Sequence, residues 1–590
     1  MKLLRRLFSS FIAAFIVGWL AGVLPDAMMH QIGSALSPKG VITSAALPTL
    51  RRLLSVAAGS TACLAVLVII YHAAIISFIK RLARECLADY SALRRHIALA
   101  RSEMHSSERM AIGFVFALGI GLRLWYINQP MQFDEATTVN MYASSPFYIG
   151  LVNYSSPNNH LLNTMLVRFS ILATGDAEWS VRLSAFMAGI AVLFAALFYS
   201  TVMYSRTSGI LTLAVISASM PFVDMATNAR GYSFVALCGV MAHTSIYYMV
   251  TRRSKLAAVC YSMCVGLGLF AVPVAVLFVI SSTACGAMYY LRRYSRTLEW
   301  KPIGLYLAAA SCGIAIAIAG YAPMLITLGP RWLFMNEWVT PLSWADFVRQ
   351  APARLYEYSS YSIAGIPVVG YILLPALIMY SIFWARVERS RVPAPLIALG
   401  ACLAVLALNR RHPFWGLSPM WMFLTVLCVS ASCSIISAIT RRWVGAPRAR
   451  LIVPGMASLV CIVGASHILS CNHVSTINAL GTHVNPQTKA IIDFLTGVVT
   501  TNDKIASDNA AAVYQYYTKR HGMPYSVWDL SNHNASTLYL IHDHKPPDHD
   551  TDMLLKLLAE YNINSLDNLP VLKRFEKADV LAVRLGNVDQ

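Results

Sequence analysis

Asp134 and Glu135 stand side by side in Gln132-Phe133-Asp134-Glu135-Ala136, just beyond an apolar run that closes at Ile127. A carboxylate within hydrogen-bond reach of a substrate hydroxyl can take its proton, and an acidic pair can also hold a cation. The same two residues could equally be a solvated loop pair. Their company is what points to chemistry. Ser155-Ser156-Pro157-Asn158-Asn159-His160 follows in the same loop, Arg230 and Tyr232 stand in Asn228-Ala229-Arg230-Gly231-Tyr232-Ser233, and Arg410, Arg411 and His412 form a later polar turn. All border one side of a set of apolar runs. Taken singly, His160 could be an exposed loop histidine, and Arg168, Arg182 and Arg230 could be interfacial anchors whose stems lie along apolar surface.

The elements that carry these residues follow from composition. The chain has 590 residues, 57% of them hydrophobic and only 13% charged, with a mean hydropathy of +0.56. A soluble domain of this size does not keep such a balance. Apolar runs of roughly 16 to 27 residues suit a hydrocarbon core about 30 Å thick. They fall near 8–25, 54–79, 110–127, 179–204, 208–223, 231–250, 256–271, 273–291, 302–328, 366–385, 393–408, 418–438 and 451–470. About thirteen spans are therefore expected, the least distinct boundary being at Val272 and Pro273.

The net charge of +19 is placed for a membrane and not for nucleic acid. Lys and Arg collect in alternate loops, at Lys2–Arg6, Lys80–Arg109, Arg206, Arg252–Lys255, Arg292–Lys301, Arg386–Arg391 and Arg441–Arg450, as the positive-inside rule requires. These segments are expected in the cytoplasm. The opposite loops, with Asp134, and the tail from Cys471 then lie outside, in a periplasm or its equivalent. The first span reads as an uncleaved anchor, being long for a signal-peptide core and lacking a small-x-small cleavage site. Nearly all cysteines lie in predicted spans, where ordinary packing explains them better than zinc or disulfides.

Three units result. Residues 1–105 form an accessory transmembrane hairpin with a basic cytoplasmic segment, and 106–470 the main membrane module, with external loops at 128–178 and 329–365. Residues 471–590 are polar, with strand-like runs Thr537–Ile541 and Val580–Val583 between helix-like segments, which predicts a small α/β domain. In the first loop a helix is expected from Leu161 to Thr174, with Asn158 as its N-cap. His160, Thr164 and Arg168 share one face of it, and the periodicity predicts that this polar face looks up from the membrane surface.

The ordered set Phe133-Asp134-Glu135-Ala136, Pro157-Asn158-Asn159-His160-Leu161-Leu162, Glu178-Trp179-Ser180-Val181-Arg182-Leu183 and Asn228-Ala229-Arg230-Gly231-Tyr232-Ser233 resembles the GT-C glycosyltransferases. Within them it looks like the bacterial branch related to protein O-mannosyltransferases and lipid A aminoarabinose transferases. The likeness covers about residues 106–470. It implies an all-α polytopic GT-C fold, to which the pattern of the tail adds a C-terminal extracytoplasmic α/β domain, and transfer of a hexose or pentose from a polyprenyl-phosphate carrier by inverting displacement. Asp134 matches the family's catalytic base. A cation is wanted where the departing phosphate gathers charge, and Arg230 is the first candidate, followed by Arg410, Arg411 and His412. Glu135, Asn159, His160 and Tyr232 complete the expected substrate-binding set. Some relatives use a divalent ion near the acidic pair, and here Asp134, Glu135 and His160 would be its ligands. No second acidic motif such as Asp-x-Asp stands in the module's external loops; the matches lie around Asp548 and Asp550 in the tail. Where many relatives have a His-Pro-Pro-like element this chain has Pro157-Asn158-Asn159-His160, which bears on the sugar more than on the reaction.

The second external loop carries Trp332, Trp338, Trp344, Tyr356, Tyr358 and Tyr361 among arginines. It reads either as interfacial anchoring or as a lid whose rings pack on sugars. The expected partners are a polyprenyl-phosphate-linked sugar donor, an envelope glycolipid or polysaccharide acceptor, and membrane lipids. A protein acceptor, or transfer of a whole glycan by a polymerase or ligase, stays open. A coupled transporter or flippase fits less well. Apart from Arg123 and Arg182 near span ends, the predicted span interiors hold His72, His243 and His467 and no carboxylate, whereas such transporters place ionisable groups at the bilayer midplane.

Overall fold

The computed structural model describes residues 16, 25–28, 47–154, 156, 158–334, 343–350, 352–353, 394–409, 421–470, 488–507, 511–528, 536–543, 569–575 and 578–584. Most of the expected first span, the span at 366–385, most of the second external loop and the turn with Arg410, Arg411 and His412 lie outside these residues.

A 56-residue helix, α1 (Leu47–Ser102), precedes the membrane module. The module begins with α2 (Ser106–Tyr126), followed by the short α3 (Phe133–Thr137), which continues as a π-helical turn, and by α4 (Phe147–Val152) and α5 (Leu161–Thr174). Next come α6 (Glu178–Met203), α7 (Arg206–Ser217), α8 (Met220–Asp224) and α9 (Tyr232–Arg252). The module closes with α10 (Lys255–Ala271), α11 (Val276–Tyr294), α12 (Trp300–Thr327), α13 (Ala394–Asn409), α14 (Met422–Val444) and α15 (Ala446–Leu469). Among the described residues seven helices are long and apolar enough to cross a membrane, or eight if a bent pair counts as one span. Large apolar side chains such as Trp125, Phe194, Ile318 and Val463 point outward from them, as a lipid-facing surface requires.

Two breaks have local causes. Between α7 and α8 the chain bends by 68°. Pro221, in the first turn of α8, has no N–H to continue a ladder, and the carbonyls at the bend need donors. Arg123 of α2 supplies them. Its guanidinium is fully buried and donates to Gly119 O at 2.7 Å, Ser217 O at 3.1 Å and Phe222 O at 3.3 Å. At the other break Val272 precedes Pro273 and is extended, with φ −149° and ψ 130°, the conformation that a following proline imposes.

The tail folds as helices against a four-stranded sheet of order β1-β2-β4-β3, with β1 Lys504–Ser507, β2 Thr537–Asp543, β3 Val571–Arg574 and β4 Ala578–Arg584. β1 pairs parallel to β2, and the other pairs are antiparallel. The parallel pair demands a crossover, which contains α17 (Ala511–Arg520); α16 (Thr488–Val498) precedes the sheet. This domain shares a hydrophobic core with the first external loop: Ile491, Ile492, Val513 and Tyr517 pack in one cluster with Met131, Ala136, Val139 and Val181. Met131 N donates to the Tyr517 hydroxyl at 3.1 Å, Asn140 Nδ2 donates to Ala512 O at 2.8 Å, and Arg520 pairs with Glu178 at 2.9 Å. The tail is thus a buttress beneath the Asp134 segment.

Candidate active site

Glu135 is the best-satisfied carboxylate of the first loop. It is fully buried, and Arg182, also fully buried, grips both its oxygens: Nε to Oε1 at 2.8 Å and Nη2 to Oε2 at 2.6 Å. Backbone N–H groups complete the set, Ala229 to Oε1 at 2.6 Å and Gln132 to Oε2 at 3.0 Å. The last bond caps the start of α3. Arg182 also donates to the carbonyls of Ile127, Gln129 and Pro130 at 2.9, 2.6 and 3.1 Å. A buried ion pair is tolerable only when its remaining donors and acceptors are met, and here they are. Arg182 is therefore the clasp that holds the exit of α2 and the entry of α3, and not a snorkelling anchor.

With Glu135 turned inward, its neighbour Asp134 is left at the surface of the cleft, its side chain 37% exposed. Facing it is Arg230, whose Nη1 lies 3.3 Å from Asp134 Oδ2. The Arg230 side chain is 8% exposed, and its Nε and Nη1 make no hydrogen bond, so the contact with Asp134 is electrostatic and those donors remain unspent. The guanidinium lies 5.6 Å from the centre of the Tyr232 ring, a cation–π distance. Burial works against the charge, but Asp134, Tyr232 and Glu135 together hold the Arg230 pKa above its ordinary value.

The turn that presents Arg230 is stapled on every side. Ala229 N bonds to Glu135, Ala229 O accepts Asn163 Nδ2 at 2.7 Å, and Asn228 Nδ2 donates to Gln132 Oε1 at 2.9 Å. Gly231 N donates to His160 Nδ1 at 2.8 Å. Gly231 is needed because a Cβ there would come within 3.0 Å of Val272 Cγ2 and 3.2 Å of His160 Nδ1. His160 is buried, its ring edge-on to Tyr232 at 4.9 Å. Burial first, and then Arg230, push its pKa well below the ordinary value. The neutral ring accepts at Nδ1 and carries its proton on Nε2.

Asn159 is fully buried and its side chain is spent on the loop itself. Nδ2 donates to Gly150 O at 2.9 Å and Asn153 O at 2.6 Å, and Oδ1 accepts from Thr164 at 2.9 Å. Two expectations about this segment are corrected. The N-cap of α5 is His160, while the Asn158 carbonyl accepts the His160 N–H at 3.1 Å and its Nδ2 reaches Asp134 O at 3.5 Å. The polar side of α5 also faces inward. Asn163 and Thr164 are buried while Phe169 and Leu172 are exposed, because the polar groups are consumed in holding the Arg230 turn and the preceding loop.

Asp134, Arg230, His160 and Tyr232 thus come together, with Glu135 and Asn159 behind them as supports. Sequence reasoning passed over Arg182, Gln132 and Tyr517. Arg182 had a signal, since it stands in the Glu178–Leu183 motif; Tyr517, some 380 residues from its partner Met131, had none. The donor set does not suit an ion held by Asp134, Glu135 and His160. Both Glu135 oxygens already accept two donors each, His160 Nδ1 is taken, and no group of three or more His, Cys, Asp and Glu side chains gathers among the described residues.

No family model and no curated protein matches the sequence. Solved structures do match the fold. ArnT from Cupriavidus metallidurans in the apo state aligns with a TM-score of 0.52 at 11% identity, over 80% of this chain and 98% of that one. The likeness is one of fold. The same protein bound to undecaprenyl phosphate aligns with a TM-score of 0.51 at 11% identity, over 80% and 97%. The Archaeoglobus fulgidus oligosaccharyltransferase in complex with Zn and sulfate gives 0.40 at 12% identity, over 73% and 68%. The polytopic helical fold with a small C-terminal sheet that the sequence led one to expect is thus present, and it is shared with the ArnT structures.

Proposed function

We propose that this chain is a glycosyltransferase of the bacterial inner membrane. It moves a single sugar from a polyprenyl-phosphate carrier to an envelope glycolipid or polysaccharide on the periplasmic side. The observation that carries this reading is the buried, preorganised Arg230 guanidinium with unspent donors 3.3 Å from a half-exposed Asp134. A carboxylate that removes a proton and a cation that receives a leaving phosphate are the two groups an inverting displacement requires.

In this mechanism Asp134 takes the proton of the acceptor hydroxyl as its oxygen attacks the anomeric carbon. The bond from that carbon to the carrier phosphate breaks with inversion. The phosphate keeps the electron pair, and Arg230 meets the charge as it develops. His160 and Tyr232 hold the turn and the guanidinium in register, and none of these roles calls on a metal. The fold likeness to ArnT, one of whose structures holds undecaprenyl phosphate, supports the choice of carrier.

The test is binding of undecaprenyl phosphate to the purified protein. Arg230→Ala should weaken it about tenfold or more, the loss expected for a buried charge-assisted contact, while Asp134→Asn should not weaken it. Unchanged affinity in Arg230→Ala would remove Arg230 from the phosphate role and pass it to the turn with Arg410, Arg411 and His412.

A further inference from the structure

At the far end of the spans from Asp134 lies a second chemically distinct place. The 21-residue helix α2 puts roughly 30 Å between its two ends at 1.5 Å per residue. There a cavity of about 870 Å³ opens between the C-terminal part of α1 and the ends of α2, α6, α7 and α9. Four guanidinium groups from four different helices line it: Arg101 of α1, Arg109 of α2, Arg206 of α7 and Arg252 of α9, with His96 beside them. Among the described residues no carboxylate lines this cavity. Arg206 is partly neutralised, at 3.5 Å from both Glu103 and Glu108. Arg101, Arg109 and Arg252 have no carboxylate partner among the described residues.

The cavity does not end at the arginines. Through Phe194 and Phe198, which line both spaces, it continues into a groove of about 490 Å³ between α6, α9 and α10. That groove is walled by side chains such as Ala191, Leu237, Met241, Met263 and Leu267 and has no charged lining among the described residues. A cationic chamber at the ends of the spans leading into an apolar groove along them has the shape of one amphiphile: an anionic head with a hydrocarbon tail. The nearby acid Asp89 is already committed. It accepts Ser254 Oγ at 2.8 Å and Leu256 N at 3.1 Å, docking α1 on the start of α10.

We propose that the chamber and groove bind one anionic glycerophospholipid, its phosphate held among Arg101, Arg109, Arg206 and Arg252 and an acyl chain lying along the groove. Guanidinium forks suit phosphate oxygens, and basic pockets between spans are where anionic headgroups settle. Four like charges brought together from four helices repel one another unless an anion sits among them, so the lipid would also hold the accessory helix α1 to the module. A donor bound here would be a bilayer's breadth from Asp134, which argues for a resident phospholipid over the polyprenyl carrier.

The test is native mass spectrometry of the purified full chain titrated with phosphatidylglycerol or phosphatidylcholine. One saturable phosphatidylglycerol should bind at least tenfold tighter than phosphatidylcholine. Arg109→Gln with Arg252→Gln should erase that preference, and Ala191→Trp, which fills the groove without touching a charge, should weaken phosphatidylglycerol as well. Equal affinity for the two lipids in the wild-type protein would overturn the proposal, as would a preference that survives the double substitution in folded protein. Displacement of the bound phosphatidylglycerol by undecaprenyl phosphate in Arg230→Ala protein would overturn the choice of occupant.

Discussion

Replacing Glu135 by Gln tests whether the buried clasp, and not the exposed carboxylate alone, sets the geometry of the site. The substitution keeps the shape but leaves one oxygen for donors that now meet two. Oε1 receives Arg182 Nε and Ala229 N, and Oε2 receives Arg182 Nη2 and Gln132 N. Whichever way the amide turns, its NH₂ faces one of these donor pairs. Two buried donors left unpaired cost about 1–3 kcal/mol each, which brackets the ~3–5 kcal/mol measured when one member of a buried ion pair is removed. The three carbonyls that still solvate Arg182 place the expected loss near 3 kcal/mol. Unfolding in mixed micelles by detergent titration reads it. Arg182→Met should cost a similar amount, and the double variant should fall short of the sum by about 2 kcal/mol, as for residues in one network. Because Ala229 N loses its acceptor, the Arg230 turn should shift, and a displacement of about 1 Å is worth roughly a hundredfold in turnover. Additive losses, or a Glu135→Gln protein within ~0.5 kcal/mol of wild type, would refute the clasp.

The depressed His160 pKa gives a pH dependence with a defined sign. A histidine whose folded pKa lies below its unfolded value near 6.5 contributes stability that is present above about pH 6.5 and lost as pH falls. By linkage the loss between pH 6.5 and 5 is at most about 2 kcal/mol, and His160→Asn should flatten that part of the stability profile relative to wild type; an unchanged profile would mean that His160 is not held neutral. A chelator should leave turnover unchanged, since the donor set around Asp134 is already spent on protein hydrogen bonds; loss of activity restored by one divalent ion would show that ligands from elsewhere complete a site.

The membrane module was legible because its signals are local and strong. Runs such as 110–127, 179–204 and 451–470 matched α2, α6 and α15 to within a few residues at most ends, and the break at Pro273 followed from what proline forbids. The motifs named the right segments, for Asp134, His160, Arg182 and Arg230 do meet. What they did not give was the division of labour within a motif. Asp134 and Glu135 look equivalent as letters, yet one faces the cleft and the other is buried, because successive residues on a helix start point about 100° apart and Arg182 claims the inward one. The orientation of α5 was misread for a related reason: periodicity identifies two faces, but polar groups that bond buried backbone face inward. The buttress by Tyr517, Ala512 and Arg520 rests on contacts between distant segments, which leave no periodic trace.

The most direct test of the account is mass spectrometry of envelope lipids and polysaccharides from cells lacking the protein, rescued with wild type or with Asp134→Asn. The account predicts that a single-sugar mass increment is lost in the deletion and restored by wild type. The Asp134→Asn protein, which keeps size and hydrogen bonding but removes the base, should be present, folded and unable to restore it. Restoration by Asp134→Asn would contradict the assigned base, and unchanged glycans with a sugar-linked carrier accumulating on the inner face would contradict transfer itself and point to transport.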